Sequence, residues 1–223
     1  MYALAKLVRS RSTVRRRRSP ELARTELLDA AERLFRDHPP DQIGLKEVAR
    51  QADVSHALIT HYFGTFDGLV EKVFERRTQR LRATIIERLA TTGISNAEEL
   101  IATLFTTFAD PVHLRLMKWM LASERGSVVH ALALRDRGIS IIAEEVAKVI
   151  DPHGTVVQRR DIELALVITV SAAFGYTATK LALANAVGRA PDAALDHEVQ
   201  KTLTAMLEAY LQVRTSLPVK PSK

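Results

Sequence analysis

The side chains best suited to polar recognition lie close together in residues 55–65 of this 223-residue sequence. Ser55, His56, Thr60, His61 and Tyr62 each carry a group that donates or accepts a hydrogen bond. On a helix held clear of its own protein, such groups can contact the base edges and phosphates of duplex DNA. The segment therefore predicts recognition chemistry, and the elements around it must hold that helix outward.

Catalytic and metal-binding chemistry have little support in the sequence. His56 and His61 are five residues apart, whereas two metal ligands share a helix face at a spacing of four. The remaining histidines are scattered, cysteine is absent, and there is no Walker loop, GxGxxG, GxSxG or HExxH motif. We therefore predict no metal, no cofactor and no enzymatic activity, while an active site assembled from separated residues stays open.

Positive charge is concentrated at the front of the chain. The formal net charge is +6, and residues 1–90 carry 18 Lys and Arg against 12 Asp and Glu, whereas residues 91–223 carry 14 of each. A partner with dense negative charge, either nucleic acid or an anionic membrane surface, would therefore meet the N-terminal third. Residues 1–18 are predicted to form a flexible basic arm that contacts DNA through the run Arg15, Arg16, Arg17 and Arg18. A transit peptide and a solvated tail without a role are the alternatives.

The recognition segment has the organisation of a helix-turn-helix. One helix is predicted from Leu45 to Gln51 and a second from about Ser55 to Tyr62, and the three residues between them allow only a tight turn and a steep crossing. Asp53 occupies the turn position that commonly needs a positive φ, which Asp tolerates well, and Ser55 is a suitable N-cap. The apolar positions that let the two helices pack are Val48, Ala49, Val54, Ile59 and Phe63.

Apolar residues at helical spacing recur along the rest of the chain, and no segment alternates as a strand does, which predicts an all-α fold of about nine helices. The first helix is predicted from Glu21 to about Asp37, capped by Ser19. We divide the chain into the arm at 1–18, a helix-turn-helix domain at 19–65, a helical ligand-binding and dimerisation domain at 66–217, and a loose tail at 218–223. Helices of the larger domain are predicted at 66–90, 96–109, 112–125, 129–150, 156–187 and 192–217.

The most apolar stretch, residues 164–174, is shorter than the roughly 18 to 20 residues that span a bilayer. We interpret it as part of a buried helix and predict no membrane partner.

Three runs, TELLDAAERLF, GLKEVARQADVS and ITHYFGTFDGLVEKV, resemble the DNA-binding domain of the TetR family of transcriptional regulators over about residues 24–73. The resemblance implies that His56, Ala57, Leu58 and His61 face the bases. It also implies that Lys46, Thr60, Tyr62 and Thr65 meet phosphates. The family often has a tyrosine where Thr60 stands and a lysine where Phe66 stands, so part of its usual phosphate clamp is weakened here.

In the TetR family the C-terminal helices enclose a ligand cavity, and the last two long helices pair with those of a second subunit. The resemblance therefore implies a homodimer formed through the helices at 156–187 and 192–217. Small residues at 165, 169, 172, 173 and 175 suit close helix packing, although packing within one subunit is the alternative. Large apolar residues at helical spacing are more often plain core than ligand contacts. The candidates for lining the cavity are nevertheless Phe105, Phe108, Met117, Trp119, Met120 and Phe174.

Together these features predict a ligand-responsive repressor, cytoplasmic and associated with the nucleoid, that binds a palindromic double-stranded DNA operator as a homodimer. We expect its small-molecule effector to be apolar or aromatic, because few charges mark the central helices. The alternatives are an activator, a DNA binder that meets no ligand and, from another class, an imported helical enzyme or interaction module.

Overall fold

The computed structural model describes residues 19–92, 97–122, 138–150 and 159–216. Within these ranges it contains nine α-helices, one 3-10 turn and no strand, which confirms the predicted all-α class. The predicted arm at 1–18 and tail at 218–223 lie outside the described residues. The helices are α1 (Pro20–Asp37), α2 (Leu45–Gln51), α3 (His56–Phe63), α4 (Phe66–Thr92), α5 (Ala97–Ala109), α6 (Pro111–Ala122), α7 (Gly138–Ile150), α8 (Arg159–Ala186) and α9 (Ala193–Ser216), and the 3-10 turn is Pro40–Gln42.

The first three helices begin at side chains that satisfy free backbone N–H groups. The Ser19 hydroxyl accepts a hydrogen bond from the Leu22 amide at 3.2 Å, and Pro20 occupies the first turn of α1. The Glu47 carboxylate reaches back to the Gly44 amide at 3.0 Å and so caps α2. These local interactions place α1 and α2 close to their predicted bounds, whereas the 3-10 turn between them was not predicted.

The turn between α2 and α3 has the predicted backbone conformation. Asp53 has a φ of 51°, the one positive value at a non-glycine residue in the described part of the chain. Asp tolerates this region better than most residues with a Cβ atom. The turn therefore lets α3 leave α2 at a steep angle.

The helix-turn-helix is built on a hydrophobic core that extends beyond the predicted domain boundary at residue 65. Residues 69, 70, 73 and 74 of α4 and residues 112, 116 and 120 of α6 are buried in the same cluster as the side chains of α1, α2 and α3. Helix α6 therefore packs with the N-terminal helices, although it follows them by 48 positions in the sequence. We call this cluster the first core.

A second core joins the far half of α4 to α5, α7, α8 and α9. Between the two cores, arginines of α4 form ion pairs with carboxylates of neighbouring elements. Arg76 binds Glu32 at 2.6 Å and Asp29 at 2.8 Å on α1, and Arg77 binds Asp110 at the junction of α5 and α6. Helix α4 thus belongs to both cores, and its arginines form ion pairs in the part of the helix between them.

Helix α8 is long and apolar enough, by length and composition alone, to cross a membrane. Its 18-residue window has a mean hydropathy of 1.5, and 22% of that window is buried within the subunit. The apolar stretch at 164–174, from which the sequence analysis predicted no span, is therefore part of a longer apolar helix. The interpretation of this stretch as part of a buried helix is wrong for the subunit alone. Leu164, Val167 and Ile168 are 44%, 44% and 58% exposed, so this apolar surface has no cover among the described residues.

Candidate nucleic-acid interface

Helix α3 is held in place by residues on the face that it turns toward α1, α2 and α4. Ile59 and Phe63 of α3, with Val48 and Ala49 of α2, are between 0% and 9% exposed in the first core. Val54 packs against the same core and is partly buried. These are the five positions that the sequence analysis assigned to the packing between α2 and α3, and that prediction is confirmed.

The opposite face of α3 is open to solvent. His56, Ala57, Thr60 and His61 are exposed, whereas Leu58 is half-buried. The Ser55 hydroxyl caps the helix by accepting a hydrogen bond from the Leu58 amide at 3.3 Å, so the positive end of the helix dipole lies beside the first exposed residues. A short helix with exposed imidazole, methyl and hydroxyl groups on its outer face is shaped to enter the major groove.

The two threonines predicted to meet phosphates use their hydroxyl groups differently. The Thr60 hydroxyl donates to the His56 carbonyl at 3.2 Å, so it must rotate before it can donate to a phosphate. The Thr65 hydroxyl instead accepts from the Gly68 amide at 3.0 Å, which leaves its own hydrogen for another acceptor. Thr65 can therefore donate to a phosphate without breaking a hydrogen bond that it donates within the protein, whereas Thr60 cannot.

The other predicted phosphate contacts surround this face. Lys46 is exposed on the first turn of α2, and Tyr62 is half-buried with its ring 5.4 Å from that of His61 in an edge arrangement. The four arginines predicted to contact DNA from the arm lie outside the described residues. The structure therefore brings together eight of the twelve predicted DNA-binding residues, on α2, on α3 and at the start of α4.

One residue that positions α3 was missed by the sequence analysis. A Cβ atom at Gly68 would lie 2.3 Å from the carbonyl oxygen of Phe63, the last residue of α3. The absence of a side chain at Gly68 therefore allows the first turn of α4 to approach the end of α3. The signal in the sequence was a glycine inside the first turn of a long helix, where it has no capping role.

The six residues predicted to line a ligand cavity are divided between the two cores. Phe105, Phe108 and Phe174 belong to the second core or pack against it, with the rings of Phe108 and Phe174 6.1 Å apart. Met120 is buried in the first core, Trp119 packs against it, and Met117 contacts both. The structure therefore brings three of the six together and places Trp119 and Met120 with the N-terminal helices of the first core.

A buried histidine lies where the two cores meet. The His113 ring is 5.2 Å from the ring of Phe74 and 5.3 Å from that of Phe108, and the residue is 2% exposed. Burial, reinforced by the positive charge of Arg77 and opposed by Asp110, lowers the pKa of His113 to about 4. His113 is therefore neutral at physiological pH.

An open groove of about 670 Å³ runs along the C-terminal half of α8. None of the six predicted cavity residues lines it. The residues that do are Thr177, Ala178, Thr179, Lys180, Leu181, Ala182, Asn185 and Pro191.

The N-terminal third of the chain is similar in sequence to known proteins, and its fold is similar to solved structures. The profile of the family described as "Bacterial regulatory proteins, tetR family" matches residues 27–73. An uncharacterized HTH-type transcriptional regulator of Mycobacterium tuberculosis is 38% identical over 90 residues, which are 40% of this chain. The chain spans 44% of the length of that relative.

Two solved structures share the fold across most of the chain. GusR from Salmonella enterica superposes with a TM-score of 0.62 at 17% identity, covering 87% of this chain and 98% of its own. FadR from Bacillus subtilis, solved with stearoyl-CoA, superposes with a TM-score of 0.56 at 15% identity, covering 86% and 97%. At these identities the likeness describes the fold alone.

Proposed function

We propose that this chain, which belongs to the TetR family of bacterial transcriptional regulators, is a repressor that binds a palindromic operator as a homodimer and is released by a small-molecule effector. The observation that carries the proposal is the outer face of α3. His56, Ala57, Thr60 and His61 are exposed there, while the inner face of the helix is buried in the first core. A regulator of this kind acts in the cytoplasm, at the nucleoid.

The reading surface has the chemistry that sequence-specific binding requires. Imidazole and hydroxyl groups form hydrogen bonds with base edges, and the methyl group of Ala57 suits the methyl group of thymine. Lys46, Thr65 and the Arg15–Arg18 run supply contacts to phosphates, which fix the register of the helix on the duplex. One such helix covers only a few base pairs, so a twofold pair reading a palindrome is the economical arrangement.

A second copy of the chain is the occupant that we propose for the exposed face of α8. No charged residue occurs from position 164 to position 179, although the residues on the outer side of the helix are open to solvent. Met206 and Val213 of the adjacent α9 are 65% and 58% exposed. A helix that is apolar on all sides must be covered on all sides, and a symmetric pair of α8 and α9 would achieve this.

Ile168→Asp tests the dimer, because it places a charge in the middle of this face. We expect light scattering to give a dimer for the wild type and a helical monomer for the variant. The matched control is Leu121→Asp, since Leu121 is 53% exposed on α6, away from this face. A wild-type monomer that partitions into lipid vesicles would contradict the proposal and assign the face to a membrane.

We place the effector against the second core, near Phe105, Phe108 and Phe174. Their aromatic side chains favour an apolar or aromatic ligand, and FadR, which shares the fold, was solved with a ligand that carries a long acyl chain. Such a ligand would release DNA only if it bound more tightly to a conformer whose two recognition helices no longer match consecutive grooves.

The deciding experiment selects bound fragments from random duplex DNA at a fixed salt concentration. We expect a palindrome from the wild type and its loss when His56 and His61 are both changed to alanine. The matched control changes His38 and His197, which are exposed outside α3, and should recover the wild-type palindrome. Enrichment of the same palindrome by the His56 and His61 double variant would move the base contacts away from α3.

A further inference from the structure

We propose that Arg115 and Trp119 on α6 are positioning residues that fix the end of α4 where Thr65 meets DNA. The proposal rests on the DNA-binding function above and adds two residues that lie in another part of the sequence and touch no base or phosphate themselves. Arg115 and Trp119 are four residues apart, so they lie on the same face of α6.

Arg115 holds the last turn of α1. Its guanidinium Nη1 donates to the carbonyl of Phe35 at 3.1 Å and also to the carbonyl of Arg36. Carbonyl groups at the C-terminal end of a helix lack partners within the helix, and a cation there is favoured by the helix dipole. Arg115 therefore ties α6 to the backbone of Phe35.

Trp119 holds the first residue of α4. Its ring meets that of Phe66 edge to face, with centroids 6.2 Å apart and an interplanar angle of 87°. The Phe66 ring also meets that of Phe35, at 6.2 Å and with an angle of 72°. Phe66 thus contacts both α6 and α1, and Arg115 holds the backbone of Phe35. We call these two ring contacts the clamp.

This clamp determines where Thr65 lies. Thr65 directly precedes Phe66, and its hydroxyl and carbonyl accept from the amides of Gly68 and Leu69 at 3.0 and 3.1 Å. Thr65 is exposed while Phe66 is partly buried, so the chain leaves the core at this point. In place of a cation reaching for phosphate, the sequence has an aromatic anchor that holds the neighbouring hydroxyl and the positive end of α4.

The first test measures binding of a fluorescein-labelled duplex, carrying the selected palindrome, to Trp119→Leu, Trp119→Phe and the control Leu121→Ala. Losing an aromatic pair should weaken binding about two- to tenfold per protomer. Trp119→Phe should restore most of the affinity because an edge contact with Phe66 remains possible. Circular dichroism and thermal melting select conditions in which every variant is folded.

Coupling between sites separates positioning from general weakening. Because Trp119 acts through the Thr65 end of α4, Thr65→Ala should cost little more in the Trp119→Leu background. Lys46→Ala removes a separate phosphate partner on α2, so its effect should add to that of Trp119→Leu. Arg115→Gln should show the same pattern as Trp119→Leu. The salt slope should fall with Lys46→Ala, by about 0.9 for each phosphate that is no longer neutralised, and stay unchanged with Trp119→Leu.

The outcomes distinguish this inference from the proposed function. Wild-type affinity in Trp119→Leu, or additive losses with Thr65→Ala, overturns the positioning role while leaving DNA binding intact. A wild-type protein that binds no duplex at low salt overturns both.

Discussion

Helices α3 and α8 expose opposite kinds of surface, and each surface indicates a different kind of partner. Helix α3 has eight residues. Its outer face carries His56, Thr60 and His61, and its inner face is buried in the first core. Helix α8 has 28 residues, and its outer face is apolar, with no charge from position 164 to 179. The polar side chains on α3 therefore indicate a partner that forms hydrogen bonds. The lack of charge on α8 indicates an apolar partner.

The largest effect on α3 is expected from one added methyl group at Gly68, where the first turn of α4 meets the end of α3. In Gly68→Ala the new Cβ would lie 2.3 Å from the Phe63 carbonyl oxygen, so α4 must move away from α3. We expect the free energy of unfolding to fall by about 3 kcal/mol or more, at the upper end of overpacking effects, and DNA affinity to fall with it. Urea denaturation measures the first quantity. Wild-type stability in this variant would mean that the two helices are not in close contact.

Acid should lower the free energy of unfolding through His113, which lies where the two cores meet. Its pKa is about 4 in the folded protein and close to 6.5 in an unfolded chain, so the unfolded state binds the extra proton between these values. The stability that comes from burying neutral His113 is complete above pH 6.5 and is lost as the pH falls toward 4. We expect a loss of about 2 to 3 kcal/mol between pH 7.5 and 4.5.

Urea denaturation of His113→Leu at the two pH values isolates this contribution. The variant should lose less stability than the wild type between pH 7.5 and 4.5, and His38→Ala, which changes an exposed histidine, should not. Equal pH dependence in the wild type and His113→Leu would show that His113 is accessible to protons in the folded state.

The turn before α3 offers a smaller test. Asp53 has a φ of 51°, where a β-branched side chain is strained. We expect Asp53→Val to cost about 1 to 2 kcal/mol and Asp53→Gly to be tolerated. Thermal unfolding of both variants measures the difference. If valine were tolerated as well as glycine, the turn would not hold a positive φ.

Gly175 provides the smallest effect and the direct counterpart of Gly68. A Cβ atom there meets nothing within 4 Å in the isolated subunit. In the Ile168→Asp background, where we expect a monomer, Gly175→Ala should raise stability by about 0.8 to 1.0 kcal/mol through helix propensity. A smaller gain in the proposed wild-type dimer would show that the partner subunit approaches Gly175. A loss of stability in the monomer would contradict the open surface.

Local signals explain why the helix-turn-helix could be predicted closely. The bounds of α2, the cap at Ser55 and the positive φ at Asp53 all depend on residues a few positions apart, and each agrees with the structure. The outward face of α3 could be predicted because Ile59 and Phe63 were assigned to its packing side. Its contacts with DNA remain predictions.

Contacts between distant segments could not be predicted in the same way. The helical spacing of Trp119 and Met120 indicated burial without indicating which core receives them, and both pack with the N-terminal helices instead of with Phe105 and Phe108. The close approach of Gly68 to Phe63 likewise depends on how α3 and α4 cross. Periodicity identifies the face of a helix, but the identity of its neighbour is a property of the whole fold.

Trp119 is the one tryptophan in the sequence, and it lies against Phe66 where α6 meets α1 and α4. Its ultraviolet fluorescence is therefore an intrinsic reporter of that junction, readable without any attached dye. Titration with duplex DNA or with a library of small molecules can be followed in the indole emission, so the side chain that we assign to positioning also provides an optical screen for the proposed effector.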